Sequence, residues 1–197
     1  MRPKSSSGIY KGQGHHRASC LHFVILAALS AFILSAMLRA QSAPTEYQVK
    51  AAYLYNFAKF VEWPPEVMSL DSSFNICVLG HNPFDATLST TTVGESVKGK
   101  KVAVKTISRA QDGASCQILF ISSSEEVRLK EILAVLDNTS VLTVSDMPYF
   151  TRRGGMIQFV TEANRIRFEV NLTSAERTGL ILSSQLLKVA IGVRRNS

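Results

Sequence analysis

Few side chains in this chain are placed to do chemistry, and each stands alone. Of the four histidines, His15, His16 and His22 precede residue 43, which leaves His81 as the one histidine of everything that follows. That excludes HExxH zinc sites and multi-histidine centres there. A Ser-His-Asp arrangement would have to use His81, and no GxSxG elbow supplies its serine. Gly94 to Lys101 (GESVKGKK) spells most of a phosphate-binding loop. Lys101 stands where the Mg²⁺-holding Ser or Thr belongs, and the segment precedes a strand pattern instead of following one, so it reads as a polar turn. Asp146 follows an apolar run, and one carboxylate without a nearby partner is thin material for acid–base catalysis. After it come Met147, Pro148, Tyr149 and Phe150, apolar residues in a loop, rimmed by Arg152 and Arg153. Exposed aromatic and Met residues beside arginines are the usual anchors of a protein interface. The plainer alternative is a loop folded back over the core.

The start of the chain changes how charge and cysteine content are read. Arg2, Lys4, Lys11 and Arg17 form a basic stretch without an acid, Leu21 to Leu38 run apolar, and small residues follow at Ala40, Ser42 and Ala43. That order is a secretory signal peptide, with cleavage expected between Ala40 and Ala43. We therefore expect residues 1–42 to be removed and 43–197 to form one domain; a retained membrane anchor is the alternative. Five of the 22 Lys and Arg lie at or before Ala40, whereas all 15 acids lie after it, so the remainder carries 17 minus 15, or +2, instead of +7. Without a basic run, nucleic-acid binding drops out. Cys20 leaves with the leader. Cys77 and Cys116 remain, an even pair that in an exported protein reads as one disulfide. Two independent buried thiols are the other reading.

The elements that would position these residues follow from periodicity. Tyr47 to Glu62 predicts a helix with one stripe at Tyr47, Ala51, Leu54, Ala58 and Val61 and a second at Tyr53, Phe57 and Phe60. Two stripes mean cover on more than one side, by the domain or by a partner. Phe74–Leu79, Lys101–Ile107, Gln117–Ile121 and Ser140–Val144 predict strands. Ser122–Glu125 starts a helix whose apolar face is Val127, Leu129, Ile132, Leu133 and Leu136. Met156–Val160 and Arg165–Val170 form a hairpin turning at 162–164, and helices follow at Leu172–Arg177 and Ser184–Ala190. The expected fold is a single three-layer α/β domain: a mixed, mostly parallel sheet flanked by helices, with a C-terminal β-hairpin and helices.

YQVKAAYLYNFAKFVEWPP (Tyr47–Pro65), FNICVLGHNPF (Phe74–Phe84), VLTVSDMPYFTRRGGMIQFV (Val141–Val160) and RIRFEVNLTSAERTGLILSSQLLKVA (Arg165–Ala190) together resemble the YfiR family across nearly all of the chain after the leader. The resemblance implies a periplasmic, non-enzymatic regulator without a cofactor. Such a protein binds the periplasmic sensor domain of a YfiN-type membrane diguanylate cyclase and holds it inactive. A YfiB-type outer-membrane lipoprotein sequesters the repressor, and the output is cyclic di-GMP, exopolysaccharide and biofilm. It also implies a homodimer and is consistent with pairing of Cys77 with Cys116. The second cysteine pair of the best-known member has no counterpart here. The expected contact residues are Tyr53, Phe57 and Phe60 on the helix and Met147, Pro148, Tyr149, Phe150, Arg152 and Arg153 on the loop. A small-molecule module with a pocket around His81 and Asp146 is the alternative.

Overall fold

The computed structural model describes residues 43–70 and 72–195; the leader expected over residues 1–42 lies outside the described residues. Helix α1 spans Glu46–Phe60. Thr45 caps it: its hydroxyl accepts from the Gln48 N–H while the Gln48 side chain accepts from the Thr45 N–H. This capping box satisfies two of the donors a helix start leaves free. The predicted end at Glu62 falls two residues late, because Val61–Glu62 is strand β1, paired antiparallel with β9 (Ile181–Leu182). Helix α2 (Pro65–Leu70) opens at the expected Trp-Pro-Pro stop.

The main sheet has eight strands. In chain order they are β2 (Ser73–Leu79), β3 (Ser96–Val97), β4 (Lys100–Ile107), β5 (Ile118–Ile121), β6 (Leu142–Ser145), β7 (Ile157–Glu162), β8 (Arg165–Asn171) and β10 (Gly192–Arg194). Across the sheet the order is β10-β8-β7-β6-β5-β2-β4-β3. From β4 to β7 neighbouring strands are parallel, and β8 returns antiparallel on β7. Helices α3 (Thr87–Thr92), α4 (Leu129–Leu136), α5 (Leu172–Arg177) and α6 (Ser184–Val189) complete the layers. The predicted α/β class and mostly parallel sheet are what the chain forms. Its β4-β2-β5-β6-β7 core follows the flavodoxin order, strand one flanked by strands two and three.

Alternation along the strands divides the core in two. Phe74, Ile76, Val78, Ile118, Phe120, Leu142 and Val144 face α1. Cys77, Leu79, Leu119 and Ile121 face α4 and the 3₁₀ turns. A strand buried on both faces reads as a continuous apolar run, which is why FNICVL and ILFI lack alternation. Cys77 and Cys116 form a disulfide with Cα atoms 6.0 Å apart, tying β2 to the entrance of β5.

Local departures have local causes. Ser123–Arg128 is a 3₁₀ turn ahead of α4, and its three-residue period rotates Val127 out of the predicted apolar face to 99% exposure. The GESVKGKK segment is a hairpin, β3 to β4, turning at Lys98-Gly99 with φ of 49° and 81°. The β7–β8 turn uses Ala163 and Asn164, both at positive φ, the conformation of a tight I′ hairpin turn.

Candidate interaction surface

The α1 stripe at Tyr53, Phe57 and Phe60 lies over the β7–β8 hairpin. Spacings of four and three residues put these rings on one face. Tyr53 stacks on Phe57 at 5.9 Å and meets Phe168 edge-on at 5.5 Å. Phe57 packs edge-on against Phe168 at 5.1 Å and stacks with Phe159 at 5.9 Å. The Tyr53 hydroxyl donates to the Ile166 carbonyl at 3.4 Å. Phe57 is therefore wholly inside the aromatic core, whereas Tyr53 and Phe60 are half-buried. Between α1 and α6 this packing leaves a groove of about 220 Å³, lined by Tyr53, Asn56, Phe57, Phe60, Phe168, Gln185, Leu186 and Val189. Val189, on its rim, is 59% exposed.

The loop after β6 divides its residues between core and surface. Met147 and Phe150 are fully buried in the α4-side core, packed with Leu129 and Ile132. The expectation that Phe57, Met147 and Phe150 present contact surface is corrected accordingly, because their side chains fill the two cores. Gly155 shows how tightly Phe150 is held: a Cβ there would stand 2.1 Å from the ring. Pro148, Tyr149, Arg152 and Arg153 remain outside. Tyr149 has φ of 60°, a left-handed conformation uncommon for an aromatic residue, and is 63% exposed. The Arg152 guanidinium lies over its ring at 5.5 Å. Arg153 instead bonds the Glu126 carboxylate and carbonyl, both at 3.1 Å.

Asp146 has partners that its sequence neighbourhood did not reveal. The buried ammonium of Lys50 lies 2.6 Å from its Oδ2, and Lys50 also pairs with Glu46 one turn earlier. The Tyr47 hydroxyl donates to the same Oδ2 at 3.2 Å. Burial pulls the Lys50 ammonium down, but hydrogen bonds to Asp146 and Glu46 outweigh it and hold the group above its ordinary value. Burial and the Asp146 charge push the Tyr47 phenol up. Asp146 is thereby committed to clamping the start of α1 onto the end of β6. The signal was in the sequence: Lys50 lies on the apolar face of α1, four residues after Glu46, where a lysine needs a partner.

His81 is exposed at the end of β2, and its N–H donates to Ser124 Oγ at 3.0 Å. A Cβ at Gly80 would stand 2.5 Å from Ser124 Oγ, so the strand-order switch between β2 and β5, the usual ligand crevice of such sheets, is filled by the Ser122–Glu125 cap. The cavity at Asp146, about 300 Å³ and bounded by Glu46, Lys50, Pro148 and Thr161 among others, does not include His81. Among the described residues no group of His, Cys, Asp and Glu is placed to hold a metal ion, and no helix is long and apolar enough to cross a membrane.

These features define a class: a flavodoxin-ordered α/β domain with a C-terminal hairpin, an apolar groove beside its first helix and a disulfide across the opposite face. Residues 47–191 match the YfiR/HmsC-like family, and the chain belongs to it. That family is one of periplasmic, regulatory, non-catalytic proteins of the cyclic di-GMP system. A conserved domain protein from Vibrio cholerae has a similar solved structure, with 12% identity over 78% of this chain and a TM-score of 0.51. This chain spans 62% of that chain. The ABC domain of a Streptococcus pneumoniae protein, solved with L-Trp, gives 11% identity, a TM-score of 0.49 and coverage of 73% of this chain and 60% of that one.

Proposed function

We propose that this protein is exported to the periplasm and there represses a membrane diguanylate cyclase by binding its periplasmic sensor domain. The observation that carries the reading is the groove between α1 and α6, where aromatic residues of α1 line an apolar cleft with Val189 exposed on its rim. Contiguous exposed apolar surface marks interaction sites. Binding that favours the sensor's inactive conformation shifts the cyclase population off, and a competing YfiB-type lipoprotein reverses the shift by removing the repressor. The protein is a homodimer in this reading. Cyclic di-GMP, exopolysaccharide and biofilm fall when it is present.

The test is capture of the cyclase from solubilised membranes by the oxidised, exported protein, beside a Tyr53→Ser, Phe60→Ser variant and a Tyr149→Gly variant. Recovery by wild type with loss in the groove variant supports the reading. Failure of the wild type to recover any diguanylate cyclase overturns it. The cavity at Asp146 favours a second reading, a small-molecule module, whose mark is a ligand-dependent rise in Tm.

A further inference from the structure

A cavity of about 270 Å³ lies between the last turn of α4, the entrance to β7 and helix α5. Leu133, Leu136 and Met156 give it an aliphatic floor, and Thr143, Ser174, Arg153 and Arg177 a polar wall. Ser174 is 6% exposed. Its N–H donates to the Asn171 side chain at 3.2 Å, whereas its hydroxyl makes no hydrogen bond among the described residues. The buried side-chain nitrogen or oxygen left without a partner among those residues is Arg194 Nε. The unbonded Ser174 hydroxyl therefore reaches open space, and the cavity is the space it borders. Thr143, 2% exposed, accepts from the Met156 N–H at 3.2 Å, and its own proton finds no acceptor among the described residues. Two buried hydroxyls thus line the cavity, each with a proton to give.

Charge selects the ligand. Arg177 holds Asp137 at 2.7 Å and Arg153 holds Glu126 at 3.1 Å, both pairs exposed. Exposed pairs hold weakly, and a guanidinium has five N–H donors, so each arginine keeps donors for a second acceptor. The C-terminal end of α4 would repel an anion if its carbonyls were bare. The Leu136 carbonyl, however, accepts from the Thr139 N–H at 3.0 Å and hydroxyl at 2.7 Å, and Asp137 is neutralised by Arg177. Donors on one wall with hydrocarbon beneath suit an anion with an apolar body. We propose that this cavity binds a small monocarboxylate with an aliphatic chain. Its carboxylate accepts from the Ser174 and Thr143 hydroxyls and the two guanidiniums, and its chain lies on Leu133, Leu136 and Met156. An apolar cavity of about 150 Å³ holds benzene, so a chain of roughly six carbons fits. The inference goes beyond the partner-binding reading and does not depend on it.

The test titrates hexanoate into the oxidised, exported protein, with hexanamide and hexylammonium as counterparts, followed by calorimetry and by backbone amide shifts. Hexanoate is expected to bind at least about tenfold tighter than either counterpart, a difference of about 1.4 kcal/mol, and to move the amides of Gly154, Met156 and Ser174. Ser174→Ala, which removes a hydroxyl that holds nothing in the fold, weakens hexanoate several-fold at unchanged Tm. The double variant Arg153→Gln, Arg177→Gln erases the preference for hexanoate over hexanamide. Should loss of both ion pairs perturb the fold, Ala134→Phe provides the second arm: the position is exposed on the cavity wall, and a ring there blocks the cavity and abolishes hexanoate binding. Four results would overturn the proposal: no binding of hexanoate, equal binding of the three compounds, undiminished binding by Ala134→Phe, or shifts centred on the groove at Tyr53 and Leu186.

Discussion

The two faces of the central sheet solve the same packing problem in different ways. The α1 face is aromatic: Phe57, Trp63, Phe74, Phe84, Phe120, Phe159 and Phe168 form one cluster with ring contacts of 4.8–5.9 Å. The α4 face is smaller and mostly aliphatic, with a disulfide inside it. Large rings fill space unevenly, and on the α1 face they leave an open groove against α6; the aliphatic side uses a covalent tie instead of area. The groove on the α1 face is the one we propose for partner binding.

Breaking the aromatic face is expected to cost most. Phe57→Ala should destabilise by about 3–5 kcal/mol in urea unfolding, the range for a fully buried ring. Removing the tie on the other face with a Cys77→Ala, Cys116→Ala double variant should cost about 3–4 kcal/mol, the loop-entropy figure for a separation of 39 residues. A loss under about 1 kcal/mol would mean that the α4 face holds without its disulfide and would weaken the contrast.

The clamp between α1 and β6 comes next. Asp146→Ala leaves Lys50 with Glu46 alone and should cost about 2 kcal/mol, the scale of a charged hydrogen bond. Its pH dependence has a definite sign. The Lys50 and Tyr47 values are raised in the folded protein, so their contribution is fully present below their unfolded values, about 10, and is lost as pH rises through the folded ones. Urea midpoints of wild type and Lys50→Met, compared at pH 7 to 11, should keep a constant gap to about pH 9.5 and then converge. A gap unchanged at pH 11 would exclude the clamp.

Smallest in stability is Tyr149→Gly, which gives up an exposed ring and relieves a left-handed backbone. Its Tm should move little, because the relief of about 1 kcal/mol offsets the flexibility glycine adds to the unfolded chain. If the loop is a contact, cyclase capture falls with the fold untouched; undiminished capture would confine the interface to the α1 side.

Much of this contrast was legible in the sequence. Continuous apolar runs gave the doubly buried strands, and the stripe at Tyr53, Phe57 and Phe60 marked the groove. Burial within the stripe was not legible, because depth depends on what the β7–β8 hairpin lays across Phe57 and not on helical phase. Val127 was misplaced for want of the 3₁₀ turn. Met147 and Phe150 read as exposed because loops usually are, while here a left-handed Tyr149 folds the chain back over the core. Strand β10 was not legible, since it is three residues long and its pairing with β8 is a tertiary choice. Lys50 and Asp146 are 96 residues apart, beyond any local pattern.

The most direct measurement of the central claim is cyclic di-GMP in cells carrying the cyclase, with wild-type protein, with the Tyr53→Ser, Phe60→Ser groove variant, and with no copy. The account expects low cyclic di-GMP with wild type and high levels in the other two, with the groove variant exported at normal abundance. Equal levels with and without the wild-type protein would contradict it.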